Sequence, residues 1–409
     1  MTQNQFEKAF QIAKEGIQIN DKIPDLFHVL GMVLKEMGQL KEAIEVMEEG
    51  MKLENENPIG MYGDLGLLYS LDGQFTKAAD YYLRASEINP DYYNAKFNYG
   101  LLLSRSGMVD ESIEIFENLP SLDRNAYEAL LYAAACHPEK YRQLSCDLGN
   151  WSEKYASHIE QKALVFSKHK KKKIRIGYVS PDFRRHPVAY FLVGSYMHHN
   201  QDDFDIYSYY NGTDIDDYTI FLKEHSFGWR NVKHISDQEL IEQVYTDQID
   251  ILVDLSGHTS NNRLPVFVGK PAPIQATYLG RLTTTGLQEI DYRLIDSYAT
   301  PDECTEELIE LPNFYLYYQP FRLDLATSRH AYEQNGHVTF GSFHRLPKIH
   351  SRLIGVWSQI LVNVPSSVLL IKTRYLDAPD IQAGMLDKFA SNGIDAGRIV
   401  FKRPRRLFR

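Results

Sequence analysis

Two series of glycines set the frame for the first third of this 409-residue chain. Gly31, Gly66 and Gly100 stand 35 and 34 residues apart, Gly38, Gly73 and Gly107 keep the same intervals, and Ala43, Ala78 and Ser112 follow in step. A fixed period in this range means that each unit is one supersecondary element, unable to bury its apolar face alone and stacked on copies of itself. A single closed core is thereby excluded for these residues, and a solenoid is expected.

In the middle unit, Gly66, Ala78, Ala85 and Pro90 fall at positions 8, 20, 27 and 32 of a 34-residue frame, which is the tetratricopeptide pattern. Small residues let the two helices of a unit meet closely, and a proline ends the second helix because it cannot donate within it. Leu65, Leu68, Tyr69, Tyr82 and Leu83 are expected to fill the space between. Ala9 precedes Ala43 by 34 residues, so residues 6–20 read as the second helix of a repeat whose first helix is missing, and the chain reads as starting within a repeat. At the sixth position stand Val29, Asp64 and Asn98, which are not a uniform set. A spacer and a peptide-binding groove both remain open on this pattern.

Residues 124–165 read as helical and are expected to cap the array, followed by the basic run Lys170–Lys173. The formal net charge of −10, with its acidic excess in residues 1–160, favours a solvated linker there over a nucleic-acid patch, and disfavours an anionic-membrane surface. Cys136, Cys146 and Cys304 form neither a disulfide framework nor a metal-type pair. With no signal core and no stretch of about 18 apolar residues, a soluble, cytoplasmic protein is expected.

From Ile174 the pattern changes. IRIGYVS, FDIYSYY, IDILVDLS, PIQATYLG, YRLIDSY, VTFGSF, SVLLIKT and RIVF alternate with longer amphipathic stretches, the strand content of an open parallel α/β sheet. Such sheets bind ligands outside the carboxyl ends of their strands. The loops there carry Asp182, His186 and Pro187, then Gly257, His258, Asn262 and Arg263, then Thr284 and Thr285, then Lys348. The chain has no G-x-G-x-x-G after the first strand, no P-loop and no G-x-S-x-G elbow, so dinucleotide, P-loop and serine-hydrolase chemistry are disfavoured. A nucleotide-sugar site, with a histidine near the acceptor and a cation near the diphosphate, fits what is left.

The ordered blocks GYVSPDFRRHPVAYFL, ILVDLSGHTSNNRL, KPAPIQATYLG, TTGLQEIDYRLID and FHRLPKIHSRLIGVWSQIL, preceded by the repeats, resemble the protein O-linked N-acetylglucosamine transferases, including their Spindly-type relatives. The resemblance implies an all-α tetratricopeptide solenoid followed by α/β Rossmann-like lobes of GT-B type. Its expected segments are repeats at 1–123, a helical cap and basic linker at 124–173, a first lobe at 174–320 and a partial second, donor lobe at 336–409. It implies inverting transfer of N-acetylglucosamine from UDP-GlcNAc to Ser or Thr of proteins, with no cofactor beyond that donor substrate and with the repeats presenting the acceptor.

By the same resemblance, His186 of the D-F-x-x-H-P block lies by the donor sugar as a candidate base, and Lys348 faces the donor diphosphate. An imidazole titrates near neutrality and accepts a hydroxyl proton, and a fixed ammonium stabilises a departing diphosphate. A loop-orienting histidine stays open as the other reading of His186. His258, Gln275, Leu279, Gly280, Thr284, Thr285, Gly286 and Arg345 are the implied substrate-binding residues. Arg281-Leu282 stands where the family has Tyr-Pro, and His344-Arg345 where Asn followed by Arg or Gln is usual. The family's second lobe also continues past the point where this sequence stops. A non-catalytic tetratricopeptide adaptor with a degenerate or truncated transferase domain is therefore the alternative to an enzyme.

Overall fold

A computed structural model describes residues 3–54, 57–135, 137–160, 173–281, 283–298, 304–319, 331–376 and 378–402. The chain divides into two units: Met1–Leu122 with Thr327–Arg409, and Asp123–Ala326.

The first unit opens with α1 (Gln3–Ile19), α2 (Pro24–Glu36), α3 (Leu40–Gly50), α4 (Ile59–Asp72), α5 (Phe75–Ile88), α6 (Tyr93–Ser106) and α7 (Val109–Glu117). The repeat glycines have a steric cause. A Cβ at Gly31, Gly66 or Gly100 would stand 2.6–2.7 Å from Met47, Tyr82 or Phe116 of the paired helix, closer than any real Cβ contact. Gly73 and Gly107 end α4 and α6 in the left-handed region, with φ of 82° and 91°, where L side chains are strained. Leu65, Leu68, Tyr69 and Tyr82 are buried as expected, but Leu83 is 47% exposed. One residue beyond Tyr82 is a turn of about 100° around the helix, which carries Leu83 off the apolar stripe.

The second unit begins with α8 (Arg124–Ala134), α9 (Pro138–Cys146) and α10 (Trp151–Tyr155). These helices, expected as a cap on the repeats, group with the sheet that follows. That sheet is built from β1 (Ile174–Ser180), α11 (Pro187–His198), β2 (Phe204–Tyr210), α12 (Asp217–Glu224), β3 (Gly228–Asn231), α13 (Asp237–Thr246), β4 (Ile251–Asp254), α14 (Leu264–Val268), β5 (Ile274–Thr277), β6 (Tyr292–Ile295) and β7 (Glu307–Glu310). Its order is β3-β2-β1-β4-β5-β6-β7, and every paired strand is parallel. The chain winds outward one way from β1 and the other way from β4, so a crevice opens where their carboxyl ends diverge.

Strands β3 and β7 are absent from the sequence reading. Both lie at sheet edges, and β7 is exposed at all four residues, so neither shows the apolar run of a buried strand.

The chain then returns to the first unit as α15 (Ala331–Asn335), β8 (Thr339–Ser342), α16 (Ser351–Asn363), β9 (Val368–Lys372), α17 (Pro379–Ala390) and β10 (Ile399–Lys402). The sheet β10-β9-β8 is again parallel, with Ile354, Leu361, Leu369, Ile371 and Phe389 buried about it. No helix among the described residues is long and apolar enough to cross a membrane. Of the cysteines, Cys304 is described and is a free thiol, whereas Cys136 lies outside the described residues. Of the basic run, only Lys173 is described.

Candidate active site

In the second unit the loop leaving β1 turns sharply into α11. The Ser180 hydroxyl accepts the Asp182 N–H at 3.0 Å, which tucks the Asp182 carboxylate under the turn. His186 is the N-cap of α11, with Pro187 in the first helical position, where a missing N–H costs nothing. Its Nδ1 accepts the Val188 N–H at 3.4 Å and lies 3.5 Å from Asp182 Oδ2. Burial holds the imidazole pKa below its usual 6.5; Asp182 works against this and Arg184 adds to it. The ring is therefore neutral at neutral pH. With Nδ1 accepting the Val188 N–H, the neutral ring carries its proton on Nε2; only the other tautomer, which gives up that cap bond and turns Nδ1–H to Asp182, leaves Nε2 as an acceptor.

The loop after β5 crosses the loop after β4 at backbone contact. A Cβ at Gly280 would stand 2.2 Å from the Ser256 carbonyl carbon, so only glycine fits there. Leu279 beside it takes a φ of 65°, a conformation that costs a branched residue about 1 kcal/mol. The Tyr278 hydroxyl donates to the Tyr315 carbonyl at 2.8 Å and ties this loop to the segment after β7. Between these loops and α11 lies a cleft of about 260 Å³, lined by His186, Pro187, Val188, Phe191, Leu279, Gly280, Arg281, Tyr315 and Leu316. The Arg281 guanidinium is held by the rings of Tyr132 and Tyr141, with centroids at 5.6 and 5.8 Å, and donates to the Leu131 carbonyl.

Beneath the cleft the polar side chains are committed to one another. His258 is 2% exposed; its Nε2 donates to the Thr285 carbonyl at 2.8 Å, and Trp151 meets it edge-on at 5.1 Å. Burial presses its pKa down to about 4, so it is a neutral interior histidine. Glu306 accepts from the Thr284 hydroxyl at 2.8 Å, from the Thr285 N–H at 2.7 Å and from the Thr285 hydroxyl, and Arg293 closes the network at 3.3 Å. Burial would raise the Glu306 pKa, but Arg293 and the Thr285 donors outweigh it and hold the carboxylate ionised. Gly286, at φ 73°, passes so close to the Leu148 carbonyl that a Cβ would stand 2.2 Å from its oxygen. Gln275 is fully buried, its amide donating to the Phe267 and Glu289 carbonyls at 2.9 and 2.8 Å.

In the first unit, Arg345 and Lys348 lie in the loop at the carboxyl end of β8, where a parallel sheet presents ligand-binding groups. Lys348 ends the short 3-10 turn Leu346–Lys348, and both it and Arg345 are exposed. His344 Nδ1 lies 3.1 Å from the Ser342 hydroxyl.

The model of glycosyl transferase family 41 matches residues 114–317, and a tetratricopeptide repeat model matches residues 24–57 and 59–92. The chain belongs to glycosyl transferase family 41. Two curated relatives are each described as a probable UDP-N-acetylglucosamine–peptide N-acetylglucosaminyltransferase SPINDLY. That of Oryza sativa subsp. japonica is 37% identical over 232 residues, spanning 55% of this chain and 25% of the relative. That of Arabidopsis thaliana is 36% identical over 234 residues, with 55% and 26% covered. This chain therefore spans about a quarter of the length of the curated relatives it matches. Among solved structures, a mutant O-GlcNAc transferase from Thermobaculum terrenum superposes with a TM-score of 0.77 at 27% identity, covering 99% of this chain and 75% of that one.

Set on this family 41 chain, the expected site residues fall into three groups. His186, Leu279 and Gly280 come together in the cleft. Within the same unit, His258, Gln275, Thr284, Thr285 and Gly286 do not line it and are bonded or packed internally. Arg345 and Lys348 belong to the other unit. The sequence reading gave no role to Tyr278, Tyr315, Arg293, Glu306 or Glu128. The signal available was the paired threonines, two adjacent hydroxyls that point to a shared buried acceptor.

Proposed function

We propose that the protein containing this chain is an inverting glycosyltransferase that moves N-acetylglucosamine from UDP-GlcNAc to Ser or Thr hydroxyls of proteins. The observation carrying this reading is the His186 cleft: a neutral imidazole at a helix N-terminus, at the carboxyl end of β1, in a sheet of family 41. In it, the ring gives up the Val188 N–H bond for the tautomer with Nδ1–H toward Asp182, so that Nε2 takes the acceptor hydroxyl proton and Asp182 steadies the imidazolium. Gly280 lets the backbone approach a sugar closely. The Lys348 ammonium meets the charge that develops on the departing nucleoside diphosphate, an interaction stronger in the transition state than before it. The relatives' printed names, which specify a UDP-N-acetylglucosamine donor and a peptide acceptor, support this choice. The tetratricopeptide repeats present the acceptor protein, and the cytoplasm is the compartment that suits the chain's unpaired thiol and cytosolic sugar nucleotide.

The test is transfer of labelled N-acetylglucosamine to protein, with UDP binding followed in parallel. Lys348→Met should lower turnover by about a hundredfold or more, the cost of removing one transition-state charge partner. Full turnover in that variant would sink the assignment. A second reading, a tetratricopeptide adaptor, draws on the commitment of Thr284 and Thr285 to Glu306 and on Arg281 standing in the cleft wall. Micromolar binding of UDP contradicts the adaptor reading, and absence of both binding and transfer favours it.

A further inference from the structure

Glu128 sits on α8, outside the sheet, and is 5% exposed. Its Oε1 accepts from Asn262 Nδ2 at 2.7 Å, a bond joining residues 134 apart in sequence. Asn262 is the last residue but one of the segment that links β4 to α14, and it is 1% exposed. Its remaining polar atoms are also used. Nδ2 donates to the Thr259 carbonyl at 2.8 Å, Oδ1 accepts the Leu264 N–H at 3.1 Å, and the Asn262 N–H donates to the Thr259 carbonyl at 3.2 Å. One amide thus closes the turn Thr259–Asn262 and caps the start of α14, and Glu128 is the group that aims it.

The same segment forms the floor on which the cleft stands. Its Ser256 backbone supports Gly280, and its His258 donates to the Thr285 carbonyl. Neighbouring Asn211 and Arg263 extend the connection: Asn211 Nδ2 donates to the Asn261 carbonyl at 2.8 Å, and Arg263 pairs with Asp237 at 2.6 Å. The groups facing Glu128 are Arg124 on its own helix at 3.8 Å, Asp123 before it, Asn262 from the segment after β4 and Arg281 from the segment after β5.

We propose that Glu128 is a positioning residue of the transferase site, holding the β4–α14 segment, and through it the floor of the His186 cleft, by its bond to Asn262. The proposal rests on the transferase reading for its consequence in catalysis, but the bond itself is tested without it. Backbone exchange with deuterium, followed by mass spectrometry on the whole protein, reads the segment directly. Glu128→Ala should exchange the Asn262 and Leu264 amides at least about tenfold faster, with β1 and β2 amides unchanged as the control. Near pH 5 Glu128→Gln keeps an acceptor oxygen and should return exchange to within about twofold of the parent. Asn262→Ala, which also removes the Leu264 acceptor and the Thr259 bond, should exchange at least as fast as Glu128→Ala, and Glu128→Ala added to it should change little further.

In transfer assays Glu128→Ala should raise the KM for UDP-GlcNAc several-fold with a smaller change in kcat, and Glu128→Gln should restore it. Unaltered exchange at Asn262 and Leu264 in Glu128→Ala overturns the proposal whatever the activity. Altered exchange with an unchanged KM overturns the catalytic part of it. A parent protein that neither binds UDP nor transfers sugar refutes the transferase reading, and the proposal's site with it, while the exchange result still decides the clamp.

Discussion

The Glu128 carboxylate imposes a dependence on pH that a single isosteric substitution should erase. Burial on α8 raises its pKa from 4.5 to about 7, against the lowering effects of Asn262, Arg124 and Arg281. An acid whose pKa is raised on folding binds its proton more tightly in the native chain. Its contribution to stability is whole below about pH 4.5 and is lost as pH climbs through about 7. At about 1.4 kcal/mol per pH unit the full loss is about 3 kcal/mol, most of it between pH 5 and pH 8. Glutamine keeps the shape and the acceptor oxygen and carries no proton to lose. Glu128→Gln should therefore be close to the parent in stability near pH 5, and gain roughly 2 to 3 kcal/mol on it by about pH 8. Equilibrium urea unfolding of both chains across this range measures the gap, and taking the difference between chains cancels every other titrating group. A gap that stays constant with pH, or one that narrows as pH rises, would refute the burial argument.

Two other tests draw on different parts of the molecule. Gly286→Ala drives a Cβ to 2.2 Å from the Leu148 carbonyl oxygen at a φ of 73°, and should cost about 3 kcal/mol in thermal unfolding; a cost under about 1 kcal/mol would mean that the two segments slide apart freely. Because burial lowers the His186 pKa, the neutral base persists below pH 6.5, so the acid limb of kcat/KM should lie on the acid side of that value and vanish in His186→Ala at its much lower rate.

The solenoid was legible in the sequence because its cause is local and periodic: each glycine opposes one bulky partner on the next helix, Met47, Tyr82 or Phe116, about 16 residues on. The central strands were legible for a related reason. β1 and β2 are buried over their last five residues, so they read as continuous apolar runs, and their bounds coincide with IRIGYVS and FDIYSYY. GWRN of β3 and ELIE of β7 pair only along one edge and bury little, so no apolar run marks them. The helices at 124–155 were legible as helices but not by destination. An amphipathic face shows that something covers it, and Glu128 to Asn262 and Trp151 to His258 show what does.

For the candidate site, the blocks located the loops and did not reveal how their atoms are used. Thr284 and Thr285 look like ligands in a motif, yet their hydroxyls are satisfied by Glu306, which lies 21 residues on from Thr285. A buried carboxylate with Arg293 and two hydroxyl donors gains more by keeping them than by lending one to a passing sugar, since the group left behind would be charged and unpaired. The same reasoning bears on Arg281. A guanidinium free in the cleft wall would attract any anion that enters, but here it lies between Tyr132 and Tyr141 and donates to the Leu131 carbonyl. Those partners belong to α8 and the residues after it, more than 130 positions earlier in the chain. Arg281 thus spends its charge on the helices behind the cleft, which is how a substitution that alters the motif's chemistry on paper leaves the cleft surface formed by Leu279 and Gly280 in place.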